Sequence, residues 1–222
     1  MNAKTLAKYL DFANHRQDAT PEQIRQLCQK VKQYGFNSAF VNPCYVALAH
    51  DLLFGKAAVG TVVSFPLGQD QTDLKILTAM EATRRGAGEL DVSMNIGWFK
   101  AGQHDQVLEE MKAVVTAVKS LPQKPLVKFI IETGCLDVVQ IQEAAQLVWQ
   151  SGADFVKICS GMGPRGASLE DVKLVRTVVG DKIKVKVAGG IRTLPQALAF
   201  IEAGADRIGT SKAVEIVEAL SK

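Results

Sequence analysis

The sequence predicts an α/β protein, a single (β/α)8 TIM barrel over residues 1–222, and three observations predict it. Short β-branched runs alternate with amphipathic helical stretches eight times, as βαβ units around a parallel sheet do. Three junctions share one pattern: Gly86-Ala87-Gly88-Glu89-Leu90-Asp91, Gly152-Ala153-Asp154-Phe155-Val156-Lys157 and Gly204-Ala205-Asp206-Arg207-Ile208-Gly209. Each opens on a glycine that can end a helix in the left-handed conformation, and a strand follows at once. Finally, 222 residues at 47% hydrophobic and 22% charged content describe one ordinary domain with a sizeable core.

The first strand is expected from Lys8 to Ala13. Its helix starts at Thr20-Pro21-Glu22-Gln23, where Thr20 can cap, Pro21 suits the first helical position and Gln23 can close a capping box; Gly35 ends it. Strand two is expected at Ser38 to Val41, strand three at Ala58 to Phe65 and strand four at Glu89 to Met94, with helices from about Pro43 and Thr72. Strand five runs from Leu126 to Glu132, strand six holds Lys157, strand seven runs from Ile183 to Ala188 and strand eight from Arg207 to Gly209. Asp137 with Gln140, Ser168 with Asp171, and Thr193 with Gln196 mark the later helix starts.

Charge and cysteine usage narrow the function classes. The 26 basic and 23 acidic residues, net +3, are scattered without runs, which argues against a nucleic-acid surface and leaves small anionic substrates open. Cys28, Cys44, Cys135 and Cys159 show no CxxC spacing and read as reduced thiols of a cytoplasmic protein with no zinc site. His15, His50 and His104 share no metal-ligand spacing and read as surface or helix-end residues, so no metal is expected. The N-terminus lacks an apolar export segment and no apolar run is long enough to cross a bilayer, so neither a membrane nor nucleic acid is expected as partner.

The chemistry centres on Phe155-Val156-Lys157-Ile158-Cys159-Ser160-Gly161, a lysine in an apolar run that ends in a turn. A buried lysine either finds a carboxylate or loses its proton and becomes a nucleophilic amine, as in Schiff-base enzymes. Five residues beyond the three repeated glycines stand Asp91, Lys157 and Gly209. Alternation turns Leu90, Val92, Val156 and Ile158 toward the helices and Asp91 and Lys157 toward the barrel axis. In strand seven Lys182, Lys184 and Lys186 take the inward parity. Lys186 lies nearest the C-terminal rim where barrel active sites sit, and Lys184, deeper or near the bottom, is expected as a structural ion-pair member. A second ammonium lowers the pKa of Lys157, and Asp91 relays protons.

Ala188-Gly189-Gly190-Ile191-Arg192 and Gly209-Thr210-Ser211-Lys212 follow strands seven and eight. Both are rich in backbone donors, a recurrent phosphate site of this barrel type when a helix N-terminus completes it. Gly161-Met162-Gly163-Pro164-Arg165-Gly166 matches GxGxxG, but no acidic residue ends the next strand and Pro164 interrupts the turn, so no dinucleotide site is expected.

These residues, with Ile130-Ile131-Glu132-Thr133-Gly134, Ser64-Phe65-Pro66-Leu67-Gly68 and Arg207-Ile208-Gly209-Thr210-Ser211, resemble the deoxyribose-phosphate aldolase family from about Asp11 to Ser211. The resemblance implies reversible cleavage of 2-deoxyribose 5-phosphate to acetaldehyde and glyceraldehyde 3-phosphate, without metal or organic cofactor. It makes Lys157 the Schiff-base lysine, Lys186 its perturbing neighbour and Asp91 the proton-relay acid. Asp11, Ser160, Gly161, Gly189, Gly190, Arg192, Gly209 and Ser211 would bind the substrate, a phosphorylated sugar or aldehyde. A homo-oligomer is compatible with the sequence.

Departures cluster on the strand ends. The family's Asp-His-Thr-Leu-Leu is here Asp11-Phe12-Ala13-Asn14-His15, its Lys-Thr-Ser-Thr-Gly is Lys157-Ile158-Cys159-Ser160-Gly161, and its Gly-Phe-Pro is Ser64-Phe65-Pro66. Phe40 stands for a small residue and Lys212 for a small hydroxyl residue. Each lost hydroxyl removes a hydrogen bond worth about 1 kcal/mol to a polyol. Two alternatives therefore stay open: a barrel aldolase or lyase for another phosphoaldehyde pair, and an inactive paralogue that binds a phosphate ligand.

Overall fold

A computed structural model describes residues 1–221. Eight parallel strands close a barrel in sequence order: β1 (Leu10–Asn14), β2 (Ser38–Val41), β3 (Ala58–Val63), β4 (Glu89–Ser93), β5 (Leu126–Ile130), β6 (Phe155–Lys157), β7 (Lys184–Ala188) and β8 (Arg207–Thr210). Around them lie α1 (Ala3–Tyr9), α2 (Pro21–Tyr34), α3 (Val46–Leu53), α4 (Thr72–Arg84), α5 (Ile96–Lys100) and α6 (His104–Lys119). The ring is completed by α7 (Val138–Gln150), α8 (Leu169–Val179), α9 (Leu194–Glu202) and α10 (Ala213–Glu218). Leu90, Val92, Val156 and Ile158 join the apolar layer between strands and helices, which turns their odd-numbered neighbours inward.

The helix starts follow their capping chemistry. Thr20 with Gln23, Asp137 with Gln140, Ser168 with Asp171 and Thr193 with Gln196 all form reciprocal boxes. Gly86, Gly152 and Gly204, the glycines of the repeated motif, adopt φ of 104°, 79° and 105°.

Several boundaries differ from the sequence expectation for identifiable reasons. Lys8 and Tyr9 belong to α1, not β1, because the Asn2 side chain caps a helix that buries Leu6 and Ala7. Ser64 (φ 53°) ends β3 before Phe65, and Glu132 lies beyond β5 with φ of 48°, since a left-handed residue cannot continue a strand. Pro43 opens a 3-10 turn that leads into α3. Lys184, expected in an ion pair, begins β7 at the bottom of the barrel, is exposed, and forms no ion pair among the described residues. The deep cation is Lys128 on β5, paired with Glu89 at 2.6 Å.

Candidate active site

Aliphatic layers usually fill a barrel of this type, yet charged side chains occupy this one. Asp11 of β1, Glu89 and Asp91 of β4, Lys128 of β5, Lys157 of β6, Lys186 of β7 and Arg207 of β8 are all buried. Asp91 is the hub. Its Oδ2 lies 2.8 Å from both Lys157 Nζ and Lys186 Nζ, and its Oδ1 lies 3.3 Å from Lys128 Nζ. Strand register produces this convergence, because Lys157 pairs directly with Lys186 across β6 and β7, and Asp91 with Lys128 across β4 and β5.

Four cations thus face three carboxylates, and one ammonium lacks a counter-charge of its own. Lys128 has Glu89, while Lys186 and Arg207 reach Asp11 at 2.8 and 2.9 Å. Among the described residues Lys157 has only the Asp91 carboxylate it shares. Burial pushes its pKa down, Asp91 pulls it back, and Lys186 and Lys128 push it down again; the net shift is downward. Burial also opposes charge on Asp91, but Lys157, Lys186 and Lys128 overcome it and hold the carboxyl well below the usual range. Lys128 goes the other way: Glu89 and Asp91 outweigh its burial and raise its pKa.

Phe40 sits within this network, its ring centre 3.4 Å from Lys186 Nζ and 4.9 Å from Lys128 Nζ, a cation–π arrangement in a dry interior. Gly60 on β3 makes room for it; a Cβ there would come within 2.2 Å of the Phe40 ring.

Above the network a cavity of about 300 Å3 opens at the C-terminal mouth of the barrel. Its lining contains Asp91, Lys157 and Lys186 together with Ser160, Gly161, Gly189, Gly190, Arg192, Gly209 and Ser211. Asp11 is the exception among the expected substrate-binding residues. It is fully buried one layer below, where Ser38 and Arg207 donate to its Oδ1 and Lys186 pairs with its Oδ2, so it holds Lys186 while Ala13 reaches the cavity. Lys212 turns outward to Glu215 at 2.7 Å, leaving Arg192 and the nearby Arg16 as the cavity's guanidiniums.

The glycines of the 161–166 segment serve packing between loops. A Cβ on Gly166 would lie 2.4 Å from the Gly189 carbonyl oxygen, and one on Gly161 would lie 3.3 Å from Gly189 Cα. This close approach presses the loop after β6 against the loop after β7, and Glu132 Oε2 fixes it further by accepting from the Ser160 N–H at 3.1 Å.

Sequence reasoning missed several residues here. His15, expected at the surface, lines the cavity and has a buried Nδ1. Counting by twos from Asp11 would have placed it inward. Lys128 lies in Leu126-Val127-Lys128-Phe129-Ile130, the same lysine-in-apolar-run signal that singles out Lys157. His50 and His104 do lie at helix ends.

Residues 5–215 match the family described as DeoC/LacD family aldolase. A deoxyribose-phosphate aldolase of Aciduliprofundum boonei is 47% identical over 221 residues, covering 99% of both chains. One from a Thermoanaerobacter species is 45% identical over 218 residues, covering 98% of this chain and 97% of that protein. The Aeropyrum pernix deoxyribose phosphate aldolase structure, described as a unique tetramer, superimposes with a TM-score of 0.92 at 29% identity, covering 100% of this chain and 93% of that one. No described helix is long and apolar enough to cross a membrane. With the match spanning the barrel from α1 to α10 and the inward lysines of β6 and β7 inside it, the chain belongs to the DeoC/LacD aldolase family.

Proposed function

We propose that this protein is a class I aldolase that cleaves 2-deoxyribose 5-phosphate reversibly to acetaldehyde and glyceraldehyde 3-phosphate. The observation that carries the reading is the amine of Lys157, buried at the cavity floor and sharing one carboxylate with Lys186. A shared counter-charge leaves Lys157 able to exist as the free amine near neutral pH.

The neutral amine attacks the C1 carbonyl of the open-chain sugar, and loss of water leaves an iminium. The C2–C3 bond then breaks: its electron pair moves toward the iminium to give an enamine, the C3 hydroxyl passes its proton by way of water to the Asp91 carboxylate, and glyceraldehyde 3-phosphate departs. Asp91 and water return a proton to C2, and hydrolysis frees acetaldehyde and the lysine. Lys186 disfavours protonation of Lys157 and helps to hold Asp91 ionised. The phosphate takes the mouth of the cavity, where Gly189, Gly190, Gly209, Ser211 and Arg192 lie. The reading treats residues 1–222 as one cytoplasmic domain, and assembly with further copies is supported by the described tetramer of the Aeropyrum pernix relative.

Release of acetaldehyde from 2-deoxyribose 5-phosphate tests the reaction, and the same assay on 2-deoxyribose tests the phosphate site. The unphosphorylated sugar is expected to react with a kcat/KM about ten- to a hundredfold lower, since a charged contact is worth about 1.5–3 kcal/mol. Ser211→Asp should erase that preference by repelling the phosphate. Equal turnover of both sugars by the native protein, unchanged in the variant, would show that the loops are only turns.

Lys186→Leu should lose activity at neutral pH and recover part of it in alkali. Removing the neighbouring ammonium raises the pKa of Lys157, so the acidic limb of the kcat/KM profile moves upward. An unmoved limb would assign the low pKa to burial alone.

A further inference from the structure

His15 follows β1 directly and continues its inward register: Asp11 reaches Lys186, Ala13 lines the cavity and His15 lines it nearer the mouth. Its ring centre lies 6.1 Å from that of Phe40 in an edge-on arrangement, and 5.6 Å from that of Phe65. The same two rings flank the lysines, with Lys157 Nζ 5.6 Å from the Phe65 centre and Lys186 Nζ 3.4 Å from the Phe40 centre. The imidazole therefore shares both aromatic walls with the reactive amines. On its other side His15, with Ala13, Arg16 and Ser211, borders a second cavity of about 540 Å3 between β1, α2 and α10. It stands between the amine end of the site and the anion end.

Packing alone would be satisfied by a phenylalanine or leucine at this position. The imidazole brings a buried nitrogen, Nδ1, with no hydrogen-bond partner among the described residues, while the Asn42 side chain lies beside the ring. Such a nitrogen is costly unless something pairs with the ring. Burial, and then Lys157, push the ring's pKa down to about 3, so it is neutral wherever the protein works. A neutral imidazole offers one donor and one acceptor, which matches a hydroxyl and adds no charge for a phosphate. Ala13 supplies no hydroxyl or imidazole of its own on this wall.

We propose that His15 is a specificity residue that hydrogen-bonds the hydroxyl adjacent to the aldehyde of the acceptor, so that this enzyme selects 2-hydroxyaldehydes over acceptors lacking that group. The inference rests on the aldolase reading. With Lys157 bound to C1 and the phosphate at the mouth, the middle of the chain carries the hydroxyls, and the one next to C3 lies toward the mouth. A site built to pair with a hydroxyl discriminates strongly against the analogue without it, because its own polar group is then left unpaired.

The experiment compares glyceraldehyde 3-phosphate with 3-oxopropyl phosphate as acceptors for acetaldehyde, so that the phosphate is common to both. The native protein is expected to prefer the hydroxylated acceptor, and His15→Phe, which keeps a ring among Phe40 and Phe65, should reduce the ratio of the two kcat/KM values by about tenfold or more. His15→Asn should keep more of the preference than His15→Phe. If His15→Phe does not fold, His15→Leu makes the same comparison. A native protein without preference, or variants in which both acceptors lose rate by the same factor, would overturn the proposal, because a ring that only shapes the wall moves both alike. Failure of the aldolase reading is separate: the native protein would then carry no ethyl group on Lys157 after acetaldehyde and borohydride.

Discussion

Lys157→Leu is expected to take up no ethyl group when incubated with acetaldehyde and borohydride, whereas the native protein acquires one on Lys157, located by mass spectrometry of its peptides. Turnover should fall by on the order of 10⁶-fold, the scale on which losing a covalent nucleophile from an otherwise intact site is felt. The structure explains why the adduct should choose this lysine. Lys128 is as deeply buried, but it has Glu89 at 2.6 Å and its pKa is raised, so it stays an ammonium. Lys157 shares Asp91 and its pKa is lowered. Burial alone does not make a nucleophile; burial without a private counter-charge does. The leucine variant should still fold, because removing one cation leaves three cations facing three carboxylates in the barrel. Thermal unfolding checks that point. An adduct on Lys128, or one spread over exposed lysines, would sink the Schiff-base assignment.

Which parts of this were legible in the sequence follows from what alternation can carry. Period-two patterning and capping residues are local, so strand order, helix starts and the inward register of Asp91, Lys157 and Lys186 could be read directly. The height of a residue within the barrel depends on strand register, which no local pattern specifies. That is why Lys184, one inward step below Lys186, was expected to be an ion-pair member and is exposed at the bottom. It is also why Asp11 was expected in contact with substrate and instead lies a layer beneath the cavity, holding Lys186. Phe40 and Gly60 show a third limit. Neither is informative alone, yet the missing side chain at Gly60 is what lets the Phe40 ring lie over the lysines.

Asp91→Asn should separate imine formation from the proton transfers that follow. In the native protein Lys186 also has Asp11 and Lys128 also has Glu89, but among the described residues Asp91 is the only carboxylate at Lys157. Neutralising it removes the group that raises the Lys157 pKa while Lys186 and Lys128 continue to lower it, so the free amine becomes the dominant form at still lower pH. Borohydride trapping should therefore persist, and its acidic limb should move down, opposite to the movement expected in Lys186→Leu. Turnover should nonetheless fall by about 10²–10⁴-fold, the contribution of a positioned proton-transfer group. Stability should fall as well, by about 3–5 kcal/mol at neutral pH, because one partner of a buried ionic cluster is lost. The sign of its pH dependence is fixed: the folded Asp91 carboxyl lies below its unfolded value. Its contribution is complete above an unfolded pKa of about 3.9 and is lost as pH falls toward the folded value. Urea midpoints of the native and variant proteins should thus stay apart through neutral pH and begin to converge only below about pH 4. Trapping lost together with turnover, or a limb that moves upward, would mean that Asp91 does not set the charge state of Lys157.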